Sequence, residues 1–292
     1  MTDLVVRPLT AGEEQLFDSM PDPLPELRQM SYADGLAGGG YRPEHTWVAL
    51  RGGRVVARAA WLLPPGAVGE PWLERFELTA EPEVGATLLA AAHEAFGGPT
   101  VYYVAAPAHW RRRPDVRSVL DAPIAAARLA GLTEGVERVR LSWTGTPLPA
   151  PSGRYTFRPA EDDEEIEDLV GRIAVPDVLT GAEVARLVSG IDLARDPLGW
   201  LGGKGTWRVA LSAGVPVGLA GAAGDACYPM IAYLGVLDAA ARSDLLADAA
   251  ATLEAGGAYE VLADADAHRV EIVADLERLG FRRVRSRVAF TP

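Results

Sequence analysis

VALSAGVPVGLAGA, running from Val209 to Ala222, echoes VALRGGRVVARAA, from Val48 to Ala60. Each is a pair of β-rich runs around a glycine-containing turn, the pattern of a β-hairpin. Upstream, LVVRPL (Leu4 to Leu9) and YTFRPA (Tyr155 to Ala160) are short alternating strands ending in Arg-Pro, separated by about the same offset. The acidic segments AGEEQLFDSM and EDDEEIEDLV follow them and predict helices. Downstream, each hairpin leads to a third strand, LERFELT (Leu73 to Thr79) or MIAYLGVL (Met230 to Leu237), and then to an Ala/Leu-rich helix. TVYYVAA (Thr100 to Ala106) and AYEVLAD (Ala258 to Asp264) come next, then helices ending in LAGL and RLGF, where Gly131 and Gly280 suit left-handed C-caps. The closing strands are RVRLSW and RVRSRVAF.

The chain therefore reads as one α/β pattern told twice: β, one or two helices, hairpin, β, α, β, α, β. Antiparallel pairs combined with a βαβ crossover predict a mixed, mostly antiparallel sheet flanked by helices in each half. The Pro-rich stretch TGTPLPAPSG, 144–153, has the composition of a linker, which predicts domains at 1–143 and 154–292. A length of 292 residues suits two such cores.

With a net charge of −12, the chain lacks the cationic footprint that nucleic acid requires, and Arg111-Arg112-Arg113 reads as a solvated loop. No apolar run is long enough for a membrane helix and no leader pattern opens the sequence, so the expectation is a cytoplasmic protein without membrane partners. Cys227 is the sole cysteine and reads as a structural thiol, and no His/Asp/Glu spacing points to a metal. No Walker loop, Gly-x-Ser-x-Gly elbow or dinucleotide fingerprint occurs.

This ordered set, most of all GVPVGLAGAA, YPMIAYLGVL and ADLERLGFRRVRSRV in the C-terminal half, resembles the GNAT superfamily of N-acyltransferases in a tandem arrangement. The resemblance implies acetyl-CoA or another acyl-CoA as co-substrate and a small amine as acceptor. It implies a splayed strand whose exposed backbone pairs with the pantetheine arm, at Leu234 and Val236 or at Leu78. It implies a pyrophosphate on the amides opening the next helix, at Arg242 and Ser243 or at Gly85, Ala86 and Thr87, where free N–H groups and the helix dipole favour an anion.

The sequence departs from the family at these loops. Leu237 to Leu246 contains no glycine, Asp244 sits near the helix start, and Thr79 to Leu89 is short with Glu81 and Glu83. The family's thiolate-protonating tyrosine position falls on Leu276 and Ala127. Candidate substitutes are Tyr233 on the lining strand and His268, which follows Asp264 and Asp266 at a strand's C-terminal edge. In the N-terminal half the candidate base is Glu77, with Glu74 beside it. Against these stand ordinary structural roles: ring packing for Tyr233 and helix capping for Asp264 and Asp266. His45, Trp47, His93 and His109 read as pocket, packing or surface residues.

Three functions follow. The first is acyl transfer from acyl-CoA to a small amine. The second is a repurposed groove that binds a ligand or partner without that chemistry. The third is another reaction, such as a cyclisation or a transfer from a carrier-bound donor, for which the pyrophosphate loop is dispensable. A homodimer is compatible with each.

Overall fold

The computed structural model describes residues 4–27, 30–202, 206–223 and 229–292. Cys227 lies outside them. The chain forms two compact units, Met1–Val136 with Ser286–Pro292, and Glu137–Arg285.

In the first unit β1 (Leu4–Pro8) is followed by α1 (Glu14–Asp18) and α2 (Tyr32–Ala37), and then by the hairpin β2 (Thr46–Arg51) and β3 (Arg54–Leu62). Gly52 and Gly53 both hold positive φ (58° and 77°), as a tight hairpin with right-handed strand twist demands. β4 (Trp72–Leu78), α3 (Pro82–Phe96), β5 (Tyr102–Pro107) and α4 (Pro114–Leu129) follow. Strands β1 to β4 are antiparallel neighbours, and β4 meets β5 in parallel. Trp61, Leu73, Phe76, Leu88, Leu89 and Ile124 form the core beneath the two long helices.

The strand β6 (Thr133–Trp143) carries the chain onward. The second unit then repeats the order. It runs β7 (Thr156–Pro159), α5 (Asp163–Arg172), β8 (Val178–Leu179), α6 (Ala182–Ser189), α7 (Pro197–Leu201) and the hairpin β9 (Trp207–Ser212) with β10 (Val215–Ala223). β11 (Met230–Val236), α8 (Arg242–Ala255), β12 (Val261–Asp266) and α9 (Val270–Arg278) follow, and the last strand of the chain is β13 (Arg282–Thr291). The expected mixed sheet flanked by helices is thus present twice.

The duplication extends to side chains. Arg7 donates to Pro8 O (3.0 Å) and both Glu13 carboxylate oxygens, and Arg158 donates to Pro159 O (3.0 Å) and both oxygens of Glu165. The Arg-Pro signature therefore ties each first strand to the acidic segment after it. Gly131 and Gly280, at φ 90° and 92°, take the left-handed conformation expected of them.

The closing strands do not close the halves that precede them. Glu137–Trp143 belongs to the second unit, where β6 pairs antiparallel with β12 from Val261↔Trp143 to Asp266↔Arg138. Val139, Leu141 and Trp143 are buried in that unit's core. Ser286–Pro292 belongs to the first unit, and Val288 and Phe290 are buried in its core. An alternating strand specifies which face it buries, not which sheet it joins. The Pro-rich stretch also falls inside the second unit: Trp143 Nε1 donates to Thr146 O (2.8 Å), and Leu148 packs on the core.

Candidate functional site

Both units carry the same irregularity. In the first, Arg75 pairs with Ala60 and Leu73 with Trp61, leaving Glu74 as the extra residue of a β-bulge. In the second, Tyr233 pairs with Gly221 and Ile231 with Ala222, leaving Ala232 in the same role. A bulge bends its strand and increases local twist. Beyond it the parallel neighbours part: the register between β4 and β5 consists of Leu73↔Tyr102, and that between β11 and β12 of Met230↔Leu262 and Ile231↔Ala263.

In the first unit this gap opens on a cavity of about 370 Å³. Its polar wall comes from β4, and α4 and the segment before α2 supply apolar residues that include Leu120, Leu24 and Leu27. Glu77 accepts from Arg58 Nε (2.9 Å), with Arg75 Nε at 3.5 Å. Arg58 is fully buried and its Nη1 donates to Phe17 O and Met20 O, both at 2.6 Å. The guanidinium groups of Arg58 and Arg75 lie over the Phe17 ring, 4.7 and 5.1 Å from its centroid. Glu74 accepts from Trp72 Nε1 (2.7 Å) and lies 3.4 Å from Arg287 Nη2. Burial pushes the Tyr41 and Tyr102 phenols, both on the cavity wall, above their ordinary range.

In the second unit the corresponding gap is stitched shut by the chain itself. β8 pairs antiparallel with β11 through Tyr233↔Leu179 and Leu234↔Val178. Asp177 N donates to Leu234 O (2.6 Å) and Thr180 N to Ala232 O (2.9 Å). The Thr180 hydroxyl donates to Ile231 O (2.5 Å) and accepts from Asp264 N (2.8 Å), so one side chain bridges the parting strands. Leu234, expected to receive a pantetheine arm, thus has its carbonyl engaged by Asp177, while Val236 continues the ladder opposite Gly218. A two-residue strand has no periodicity to read, and β8 went undetected in the sequence for that reason.

The helix after β11 is equally occupied. Arg242 donates to Asp275 (2.6 Å) and lies 3.8 Å from Asp177, which also pairs with Arg269 (2.5 Å). Ser243 is half-buried in the first turn of α8. Asp244 accepts from Ser152 N (3.1 Å), and Asp238 accepts from Tyr155 OH (2.7 Å). Asp264 and Asp266 pair with Arg140 and Arg138 of β6 rather than capping a helix.

Tyr233 is fully buried against Trp207, and its hydroxyl has no hydrogen-bond partner among the described residues. His268 is exposed on the turn before α9, so the structure does not bring these two candidates together. A buried hydroxyl without a partner costs about 1–3 kcal/mol. Tyr233→Phe is accordingly expected to gain about 1 kcal/mol in urea unfolding and to leave any ligand response unchanged. A lost response would return the phenol to the chemistry.

At the end of β4, Leu78 lines the first unit's cavity. Gly85 does not face a ligand: a Cβ there would sit 2.8 Å from Ala126 Cβ and 3.0 Å from Phe76, so the glycine permits close packing of α3 on α4. Ala86 is half-buried, and exposed Thr87 donates its hydroxyl to Glu83 O (2.8 Å). Glu81, Pro82 and Glu83 open the helix with two carboxylates and a residue lacking an N–H. His93 is buried and His45 half-buried, and desolvation lowers the pKa of both; His45 lies edge-on to Phe96 and His93 to Trp61.

Arg58 and Arg75 escaped the sequence reading. Their signal was a cation inside each of two apolar strands, and register now places Arg75 where the second unit has Tyr233.

No protein-family model matches the chain, and no curated protein sequence does. Among solved structures, it matches a GCN5-related N-acetyltransferase from Sphaerobacter thermophilus at 15% identity and TM-score 0.56, over 98% of this chain and 94% of that one. It matches the GCN5-related glucosamine N-acetyltransferase region of a fungal multi-domain β-N-acetylglucosaminidase at 13% identity and TM-score 0.56, over 99% of this chain and 38% of that one. A tandem GNAT protein from the clavulanic acid biosynthesis pathway matches at 18% identity and TM-score 0.47, over 99% and 98% of the two chains. The chain has the fold of the GCN5-related N-acetyltransferases.

Proposed function

We propose that the first unit transfers an acyl group from a pantetheine thioester to a small amine. The observation that carries this reading is the contrast between two copies of one gap: open on a cavity between β4 and β5, closed by β8 between β11 and β12. Past the bulge, β4 turns a polar backbone edge toward the cavity, and unpaired backbone groups are satisfied by an extended partner. Fold alone does not assign chemistry, so the argument rests on this cleft.

The residues fit the arm of the donor better than its diphosphate end. The carboxylates of Glu81 and Glu83 at the positive end of α3 disfavour a second anion, and the missing N–H of Pro82 removes a donor. The thioester supplies an activated carbonyl carbon. Transfer joins the amine nitrogen to that carbon and breaks the C–S bond, and the proton lost from nitrogen ends on the thiolate. Glu74 and Glu77 line the cavity as carboxylates able to accept that proton through water, with Glu77 held in place by Arg58. Tyr41 and Tyr102 keep their phenolic protons at neutral pH.

Titration of the full chain with acetyl-CoA tests this. Ligand at a hundredfold excess over Kd is expected to stabilise the protein by about 2.7 kcal/mol. Ala105→Trp, which puts an indole into the cavity, is expected to abolish the shift, whereas Ser243→Ala in the second unit leaves it intact. Acetyl-pantetheine is expected to bind nearly as tightly as acetyl-CoA, because α3 offers little to the phosphates. Absence of any shift with either donor overturns the reading. Binding without thioester cleavage in the presence of amines would favour a repurposed groove.

A further inference from the structure

Arg75 stands in the cavity wall with only 8% of its surface exposed, and Nη1 and Nη2 are buried without a hydrogen-bond partner among the described residues. Its Nε reaches Glu77 at 3.5 Å, and Asp22 lies 3.7 Å from Nη2, close enough to balance charge but not to bond. Arg58, fully buried alongside, has no partner for its own Nη2 among the described residues. Buried guanidinium N–H groups without acceptors cost free energy comparable to lost charged hydrogen bonds. A group kept at that expense on a cavity wall, in a planar fork that matches a carboxylate, is a recognition element in search of its anion.

The surrounding charges refine the ligand. Among the described residues, Arg58, Arg75 and Arg287 face Asp22, Glu74 and Glu77, three cations against three carboxylates. A lone anion or a lone cation would unbalance this set in a partly desolvated space, whereas a zwitterion adds no net charge. Much of the rest of the wall is apolar, with Leu24, Leu27, Leu62, Leu78 and Leu120 among its residues.

We propose that the acceptor taken by this cavity is an α-amino acid with an apolar side chain, its carboxylate clamped by Arg75, its amino group on the Glu74 and Glu77 side, and its side chain against the leucines. This deepens the acyltransfer reading and rests on it. Arg75 is thereby a specificity-determining residue.

The test uses the full-length protein and three probe pairs: leucine, methionine and phenylalanine against isoamylamine, 3-(methylthio)propylamine and phenethylamine, the same molecules without the carboxylate. In calorimetric titration at least one amino acid is expected to bind, and its decarboxylated partner about 10- to 100-fold more weakly, the span of hydrogen bonds to a charged group. Arg75→Met is expected to lose this preference while the first unit still unfolds cooperatively, because Glu77 keeps its bond from Arg58. Arg75→Lys retains charge but not the fork and is expected to recover only part of the preference. Equal binding of amine and amino acid, an Arg75→Met variant that keeps the preference, or no binding of any amino acid overturns the proposal. Acetyl-CoA binding, measured separately on the same variants, reads the parent hypothesis: if it persists while every amino acid fails, acyl transfer stands and the acceptor class falls.

Discussion

Expressed alone, residues 154–292 are expected to remain unfolded, whereas residues 137–285 unfold cooperatively on heating. The difference lies in which strand each fragment contains. The fragment 154–292 omits Val139, Leu141 and Trp143, all buried in the second unit's core and carried on the β6 segment that pairs with β12. Full burial of such side chains is worth roughly 1.5–3 kcal/mol each, an upper estimate because denatured chains already bury some surface. Their sum approaches the roughly 5–15 kcal/mol that holds a whole domain folded. In their absence β12 would also present an unpaired edge.

The mirror argument applies to residues 1–143, which lack Val288 and Phe290 of the first unit's core. Co-expression of 1–143 with 154–292 is expected to restore both units, since each fragment holds the strand the other needs. Cooperative unfolding of isolated 154–292 with the midpoint of 137–285 would refute the assignment. Thermal melts followed by circular dichroism are sufficient to decide.

Arg58→Met is expected to destabilise the first unit by about 3–5 kcal/mol, the usual loss when one partner of a buried ion pair is removed. Methionine replaces much of the volume but none of the donors. Glu77 would lose its 2.9 Å bond, and the carbonyls of Phe17 and Met20 would lose the donor that ties α1 and its following loop to β3. Adding Glu77→Gln should recover part of the loss, because it removes the carboxylate left without a counter-charge; the double-mutant cycle isolates that coupling. Urea unfolding of the full chain, with 137–285 as reference for the second unit, separates the two transitions. A loss under about 1 kcal/mol would mean that Arg58 is not a structural tie, because surface-like substitutions fall in that range.

Part of the candidate site was legible before the structure. Glu77 and Leu78 lie on the cavity wall, and their strand is one to which the family resemblance gave a lining role. The second copy, whose sequence carries the stronger resemblance, is the one whose gap is filled. Its glycine-poor loop gave notice of this, but the occupant, Val178–Leu179 with Thr180, could not be named from a run so short. Gly85 fitted a phosphate loop by position, yet its missing Cβ makes room for Ala126. A sequence shows that a position wants no side chain without showing what stands opposite.

The sequence by itself determined the repeated order of elements, the hairpin glycines, the left-handed caps at Gly131 and Gly280 and the acidic partners of each Arg-Pro strand. All of these are local consequences of backbone sterics and of groups a few residues apart. Only the tertiary structure decided which sheet β6 and Ser286–Pro292 complete, which of two like gaps stays open, and that Arg75 faces a cavity with donors to spare. Those outcomes depend on which distant surfaces compete for the same backbone edge or the same buried volume, and alternation along a strand encodes a face, not a partner.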